Sequence, residues 1–421
     1  PSNKQFKTAS RRNINMVMTD QIKEPEMSLK TWMALVGLTL STFIFNTSEF
    51  IPIALLTDIG NDFGLTEAKA GMLISVYAWV VMALSLPLML MTSRMEMRKL
   101  LLGVMAVFTS FQVMSFLSVS FGMLMFSRIG VACAHSIFWS IVSIIAVRIV
   151  PESHKSIALS MIVTGSSIAM ILGLPLGRVI GLSVGWRMTF LSIGAVALVV
   201  FLYLFTLLPK VSSGGGMTAH DLPAMLKNKI LIGIFITTAA FATGYYTVYS
   251  YIEPFLQQVG NMTENQITLT LMLFGGAGII GSMLFSKYFP KYRFKFINVT
   301  LIGLIGGVAL LLPSAFSVPV TIAVCTIIGM SATAFNVAMQ SEIITDTPAA
   351  QTSVAMSIFS GIFNFGIGTG ALIGGLVCSH LSISFIGIVG GLIVLMALAY
   401  WTFIVVRRSF RQAQRPQRYG R

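Results

Sequence analysis

The chain has 421 residues, 55% of them hydrophobic and only 10% charged. That leaves too little polar surface for a water-soluble protein of this length and marks an all-α, polytopic membrane protein. The net charge of +14 does not argue for nucleic acid, because the basic residues sit in short clusters between apolar runs, where membrane topology explains them.

Residues 1–30 read as a cytoplasmic tail carrying Lys4, Lys7, Arg11, Arg12, Lys23 and Lys30. No cleavable signal peptide is expected in so basic an opening. Apolar runs then predict twelve spans, near 32–57, 68–92, 99–118, 121–147, 156–181, 187–208, 229–257, 266–288, 295–313, 317–341, 351–378 and 383–406. Alternate loops are basic: Arg94, Arg98 and Lys99; Arg148 and Lys155; Lys210, Lys227 and Lys229; Lys287, Lys291, Arg293 and Lys295. The opposite loops hold only Lys69 and Arg187, so both termini are expected in the cytoplasm. The loop after span ten departs from the pattern, with Glu342 and Asp346 and no basic residue.

Span one carries Asn46 and Glu49 on one helical face, with Thr42 a turn earlier and Pro52 a turn later, where a kink is expected. A carboxylate at that depth costs about 2.5–3.5 kcal/mol by insertion scales, so it must be protonated, paired or facing water. A functional carboxyl is the reading for Glu49; the alternative is a side chain reaching for the interface. Span four places Arg128 and His135 seven residues apart, nearly on one face, with Trp139 a turn further and Ala132 between. His135 reads as a titrating partner or as a neutral core histidine, and Arg128 as functional or as a fastener between helices.

Residues 209–228 read as a flexible cytoplasmic linker that divides two six-helix halves, 31–208 and 229–406; residues 407–421 form a basic cytoplasmic tail. The halves echo each other. Leu90-Met91-Thr92-Ser93-Arg94 resembles Met283-Leu284-Phe285-Ser286-Lys287, and Pro52 has a counterpart in Pro254. Span seven aligns Tyr246, Ser250 and Glu253, with Tyr245, Tyr249 and Tyr251 beside them. These suit an amphipathic ligand, or they anchor a helix end with Glu253 in water. Span ten offers Thr333, Asn336 and Gln340; span eleven offers Ser353, Ser357, Ser360 and Asn364. Either stripe could bind a polyol or join helices.

Gly276-Ala277-Gly278-Ile279-Ile280-Gly281 matches a dinucleotide fingerprint without its preceding strand, and reads as a packing surface, as do Gly366, Gly370 and Gly374. Cys133, Cys325 and Cys378 lie in apolar runs and support neither disulfides nor a metal site. His154, His220 and His380 are isolated, so no enzyme constellation, metal or cofactor is expected.

Several stretches together carry a resemblance: Phe45-Asn46-Thr47-Ser48-Glu49-Phe50-Ile51-Pro52, Ser127-Arg128-Ile129-Gly130, Ala134-His135-Ser136-Ile137-Phe138-Trp139, Leu172-Gly173-Leu174-Pro175-Leu176-Gly177-Arg178, Gly185-Trp186-Arg187 and Tyr249-Ser250-Tyr251-Ile252-Glu253-Pro254-Phe255. From about Lys30 to Arg408 the sequence resembles the major facilitator superfamily, and within its drug:proton antiporter branch the bacterial sugar efflux transporters. The family's loop motif between spans two and three is degraded, with Ser93 at its usual acidic position and Glu96 at a usual glycine.

The resemblance implies two pseudo-symmetric halves, with spans one, four, seven and ten lining a central cavity. It also implies export of sugars or sugar-like molecules (arabinose or thiogalactoside type) in exchange for protons by alternating access. The alternatives are a multidrug:proton antiporter or a passive facilitator. Glu49, His135 and Arg128 are then expected to couple protons. Substrate contacts are expected from Phe45, Asn46, Trp139, Tyr246, Tyr249, Ser250, Glu253, Asn336, Gln340 and Asn364. Gating falls to Pro52, Arg94, Arg98, Gly173, Pro175 and Gly177. The expected setting is the bacterial inner membrane, as a monomer among lipids, with a proton gradient in place of any cofactor.

Overall fold

A computed structural model describes residues 27–92, 94–212, 227–347 and 352–407. The expected tails at 1–30 and 407–421 and the linker at 209–228 therefore lie largely outside the described residues. Those described are mostly helical, with no strand among them. This all-α arrangement is what the apolar runs require, since in hydrocarbon a helix satisfies every backbone group within its own segment.

Span one runs Leu29–Ala54, starting from a Ser28 cap that accepts a hydrogen bond from Thr31 N. It breaks at Leu55 and resumes as a short helix, Leu56–Phe63, closed by Gly64 in the left-handed conformation (φ 63°). Spans two, three and four are Glu67–Thr92, Met97–Phe116 and Phe121–Arg148. Span five is Lys155–Ile168 and Leu174–Val184 joined by a widened π turn at Ala169–Gly173. The widening has a local cause: Pro175 has no N–H for the carbonyl of Ile171 one turn back. Span six is Trp186–Leu207.

Span seven runs Lys229–Tyr249 and restarts at Ile252–Gln258. Pro254 leaves the Ser250 carbonyl without its helical donor, which places the break. Spans eight and nine, expected as separate helices at 266–288 and 295–313, form one continuous element, Glu264–Ser314, kinked at Tyr292 (φ −129°, ψ 38°). The connection is helical almost to the bend, so Tyr292 does the work of a loop. Eleven described helices are long and apolar enough to cross a bilayer; dividing this element at Tyr292 gives the twelve spans expected. Spans ten and eleven are Val318–Asp346 and Thr352–His380, and span twelve is Ile386–Tyr400 extended by a π segment, Trp401–Val406.

Spans one to six pack among themselves, as do seven to twelve, and the two groups meet where span two lies on eleven and span five on eight. Small residues permit the closest approaches. A side chain at Gly374 would meet the Thr247 carbonyl oxygen at 2.6 Å, and Gly281 lies against the backbone of Met330. Both glycine runs therefore pack helices, as their sequence context implies.

The acidic loop after span ten is also explained. Arg293, from the bend between spans eight and nine, holds the buried carboxylate of Glu342 through Nε and Nη2, the latter at 2.6 Å, and reaches Asp346 at 3.3 Å. Its missing positive charge is supplied from a neighbouring loop. In the first half Arg98 donates instead to a neutral group, the Phe205 carbonyl, at 2.7 Å, and Arg94 is exposed. Both loop arginines assigned to gating thus lie at the end where the chain enters the bundle, and Arg98 is tied within its own half.

Candidate functional site

Two successive residues of span one, Ser48 and Glu49, build the first half of the site. Glu49 Oε2 lies 3.6 Å from His135 Nε2 on span four, and their side chains are 10% and 2% exposed. That separation is long for a hydrogen bond but within ion-pair range, so a small rotation of either side chain lets the two share a proton. His135 Nδ1 has no partner among the described residues, leaving the Glu49 side as the place where this imidazole is engaged.

Arg128 fixes the geometry around this pair. Its Nη1 donates to Ser48 Oγ at 3.2 Å and its Nη2 to the Glu49 carbonyl at 3.3 Å. The guanidinium also lies 4.4 Å above the Tyr77 ring, a desolvated cation–π contact of about 2 kcal/mol. The same ring sits 5.6 Å from the His135 imidazole. Gln112 of span three donates to Ser48 from the other side. Arg128 therefore places a permanent positive charge beside the carboxyl while gripping its backbone.

The second half presents Tyr246, Tyr249, Asn336, Gln340 and Asn364. Tyr246 is an electrostatic neighbour of Glu49, and its ring lies 6.4 Å from Phe50 and 6.0 Å from Phe363. Tyr249 stacks on Phe274 at 4.9 Å. Gln340 donates to Asn336 Oδ1 at 2.5 Å, so the two amides of span ten act as a unit with one carbonyl and N–H groups to spare. Asn364 donates to the Ser360 carbonyl at 3.0 Å, while its own Oδ1 has no partner among the described residues. Trp139, partly open, extends the first-half face at 6.0 Å from His135.

Not every expected residue joins this space. Phe45 is fully buried inside the first half, stacked between Phe108 at 4.1 Å and Phe138 at 4.0 Å; a ring in that position packs helices and does not face a ligand. Phe45→Ala should cost about 3–5 kcal/mol of stability, and thermal unfolding of the purified variant checks it. Asn46 turns its amide to the Ser166 carbonyl on span five at 3.4 Å. Ser250 is buried in the break of span seven. Glu253 is neither in the central space nor in water: it is wholly buried at the far end of the bundle, 3.2 Å from Arg178.

The glycines assigned to gating pack helices. Gly173 sits against Thr47 and Gly177 against Ile51, so span five lies directly on span one, with Pro52 buried at that level. Sequence reasoning passed over Ser48, Tyr77, Gln112 and Arg178. Gln112 and Arg178 were detectable as polar groups inside apolar runs, which must find partners. Ser48 and Tyr77 carried no such signal.

Residues 38–354 match the family described as Major Facilitator Superfamily. Among solved structures, the chain is similar to a bacterial homologue of the human lysosomal transporter Spinster in its inward-facing, unoccupied conformation. That match has a TM-score of 0.77 at 15% identity and covers 92% of this chain and 99% of that one. The occupied form of the homologue gives 0.71 at 15% identity, covering 91% and 98%. The human organic anion transporter MFSD10 (TETRAN) gives 0.67 at 13% identity, covering 90% and 100%. At these identities the likeness is one of fold.

Proposed function

The chain belongs to the Major Facilitator Superfamily and is a secondary transporter, and from that premise we propose that it exports sugars or sugar-like molecules in exchange for protons by alternating access. The observation that carries this reading is the Glu49–His135 pair, buried in one half at the face turned toward Tyr246 of the other. Glu49 takes up the proton, His135 shares it, and Arg128 holds both in register. Substrate binds between the halves when Glu49 is ionised. Protonation then removes the buried charge and shifts the balance between the two facing states, which is how one site excludes simultaneous occupancy.

Amide and hydroxyl groups on the second-half face, Asn336, Gln340, Asn364 and the tyrosines, support a hydroxylated ligand. The setting that fits is a bacterial inner membrane with cytoplasmic termini, where the inward proton gradient supplies the work.

A second reading, a multidrug:proton antiporter, is favoured by the rings of Tyr246, Tyr249, Phe274 and Phe363, which offer an apolar wall. Purified protein in proteoliposomes separates the two. Sugars and thiogalactosides should release protons from the lumen on a sugar exporter, and lipophilic cations should do so on a drug exporter. Proton flux with neither panel overturns the coupling and leaves a passive facilitator. Gln340→Leu should weaken a sugar about tenfold, the value of one lost hydrogen bond at about 1.4 kcal/mol, and leave a lipophilic cation nearly unchanged; binding of both by calorimetry checks it.

A further inference from the structure

The far end of the bundle, opposite the end where span one begins, is closed by a charged cluster drawn from both halves. Arg178 of span five donates to the Ala54 carbonyl and to Glu264 at the start of span eight. Its Nη1 also lies 3.2 Å from Glu253 Oε1 of span seven. Glu253 Oε2 accepts from Thr57 N at 3.3 Å and from Thr57 Oγ1 at 2.8 Å. Asp58, next in the chain, neighbours Arg178 and Glu264 electrostatically. Two further contacts surround the cluster: Gln257 donates to Glu264 at 3.2 Å and Gln258 to Glu67 of span two at 2.8 Å.

The charges do not balance. Three carboxyls, Glu253, Glu264 and Asp58, gather around one guanidinium. Arg178 and Glu253 side chains are each 1% exposed, whereas that of Glu264 is 45% exposed. Glu264 takes the closest contact with Arg178, so Glu253 shares its one cation with a second carboxyl and Asp58 has none of its own. The other basic groups of this end do not supply one: Arg187 pairs with Asp62 at 2.7 Å, and Lys69 is exposed. Glu253 Oε1 receives no hydrogen bond beyond its ion-pair approach to Arg178. Burial, together with Glu264, holds the Asp58 carboxyl above its ordinary range against the pull of Arg178. A second buried anion here would cost several kcal/mol.

We propose that this cluster is a second proton-binding site, separate from Glu49, at which closing the far end of the bundle takes up a proton on Glu253. When the halves part there, Glu253 meets water and ionises; when they close, burial beside Asp58 outweighs the donors from Thr57 and Arg178 and the proton stays on Glu253. The sign follows from linkage: a carboxyl that binds its proton more tightly in the closed form makes closure more favourable as pH falls. In an exporter whose far end faces the outside, external protons would thereby drive the return from the outward-facing form. The inference rests on alternating access but on neither the substrate nor Glu49.

The test reads conformation without substrate or gradient. Spin labels are placed at Asn61 and Asn265, exposed positions at this end in opposite halves, after replacing Cys133, Cys325 and Cys378. Distance distributions are recorded in nanodiscs from pH 8 to pH 5. The short-distance population should grow on acidification, by up to about tenfold per pH unit for one proton. In Glu49→Gln, which removes the central pair's own contribution to the balance, the response should persist, and adding Glu253→Gln to that variant should make the short-distance population large and nearly flat across the range.

A short-distance population that shrinks on acidification would mean that ionised Glu253 holds the end shut, and overturns the proposal. So does a flat profile in Glu49→Gln, or a response that is unchanged when Glu253→Gln is added to it. Should Glu253→Gln fail to fold, Thr57→Val removes one donor to the ionised carboxyl and should move the parent midpoint upward; an unmoved midpoint counts equally against the site.

Discussion

Replacing Glu49 by Gln should abolish accumulation of substrate against its gradient while leaving a folded protein that still exchanges substrate. The amide nearly matches the carboxyl in size and stays neutral, so it imitates the protonated state permanently. One proton moving inward releases about 2.3 kcal/mol per 100 mV of membrane potential. For one-for-one exchange of a neutral sugar that supports a concentration ratio of roughly fifty. In proteoliposomes with an imposed gradient, the parent should approach that ratio and Glu49→Gln should remain at unity. Counterflow of labelled substrate should persist, since it needs no proton. Undiminished accumulation would remove Glu49 from the coupling.

The second large effect is expected at Arg128. Its removal leaves the Glu49 carbonyl and Ser48 without their charged donor, uncovers the Tyr77 face and opens a cavity in the first half. Arg128→Ala should lose about 3 kcal/mol or more together with nearly all coupled transport. Arg128→Lys separates the causes. An ammonium keeps the charge but cannot fork to two oxygens at once, so it should lose about 1–2 kcal/mol, one hydrogen bond's worth, and retain some transport. Denaturant unfolding in detergent measures the first quantity and proteoliposome flux the second. Equal transport in parent and Ala variant would leave Arg128 only a fastener between helices.

The scaffold was legible because a bilayer imposes one rule on every span: length and apolarity suffice. The Glu49–His135 pairing was legible too, since two ionisable groups in apolar runs have few places to go. Other contacts had no local signature. Phe45 and Trp139 are both aromatic residues in apolar runs, yet one packs between two phenylalanines of its own half and the other opens toward the site; only the rotation of each helix about its axis decides. Glu253 was misplaced because its partner, Arg178, is remote in sequence and comes from the other half. The continuous element across Tyr292 escaped notice for a different reason: a helix can bend within a basic, proline-containing segment that reads as a loop.

One geometric fact about the joint between the halves has a mechanical consequence. Gly275 of span eight lies with its backbone against the Met170 carbonyl, within the π turn of span five, and Gly368 of span eleven lies against the Ser75 carbonyl and the Trp79 ring of span two. Both are points where a glycine lets the two halves touch on opposite flanks. The halves cannot be squeezed nearer at either point, because a backbone carbonyl fills the space at Gly275 and the Trp79 ring fills it at Gly368. For the alternating access proposed above, a tilt about these two points would open one rim as it closes the other.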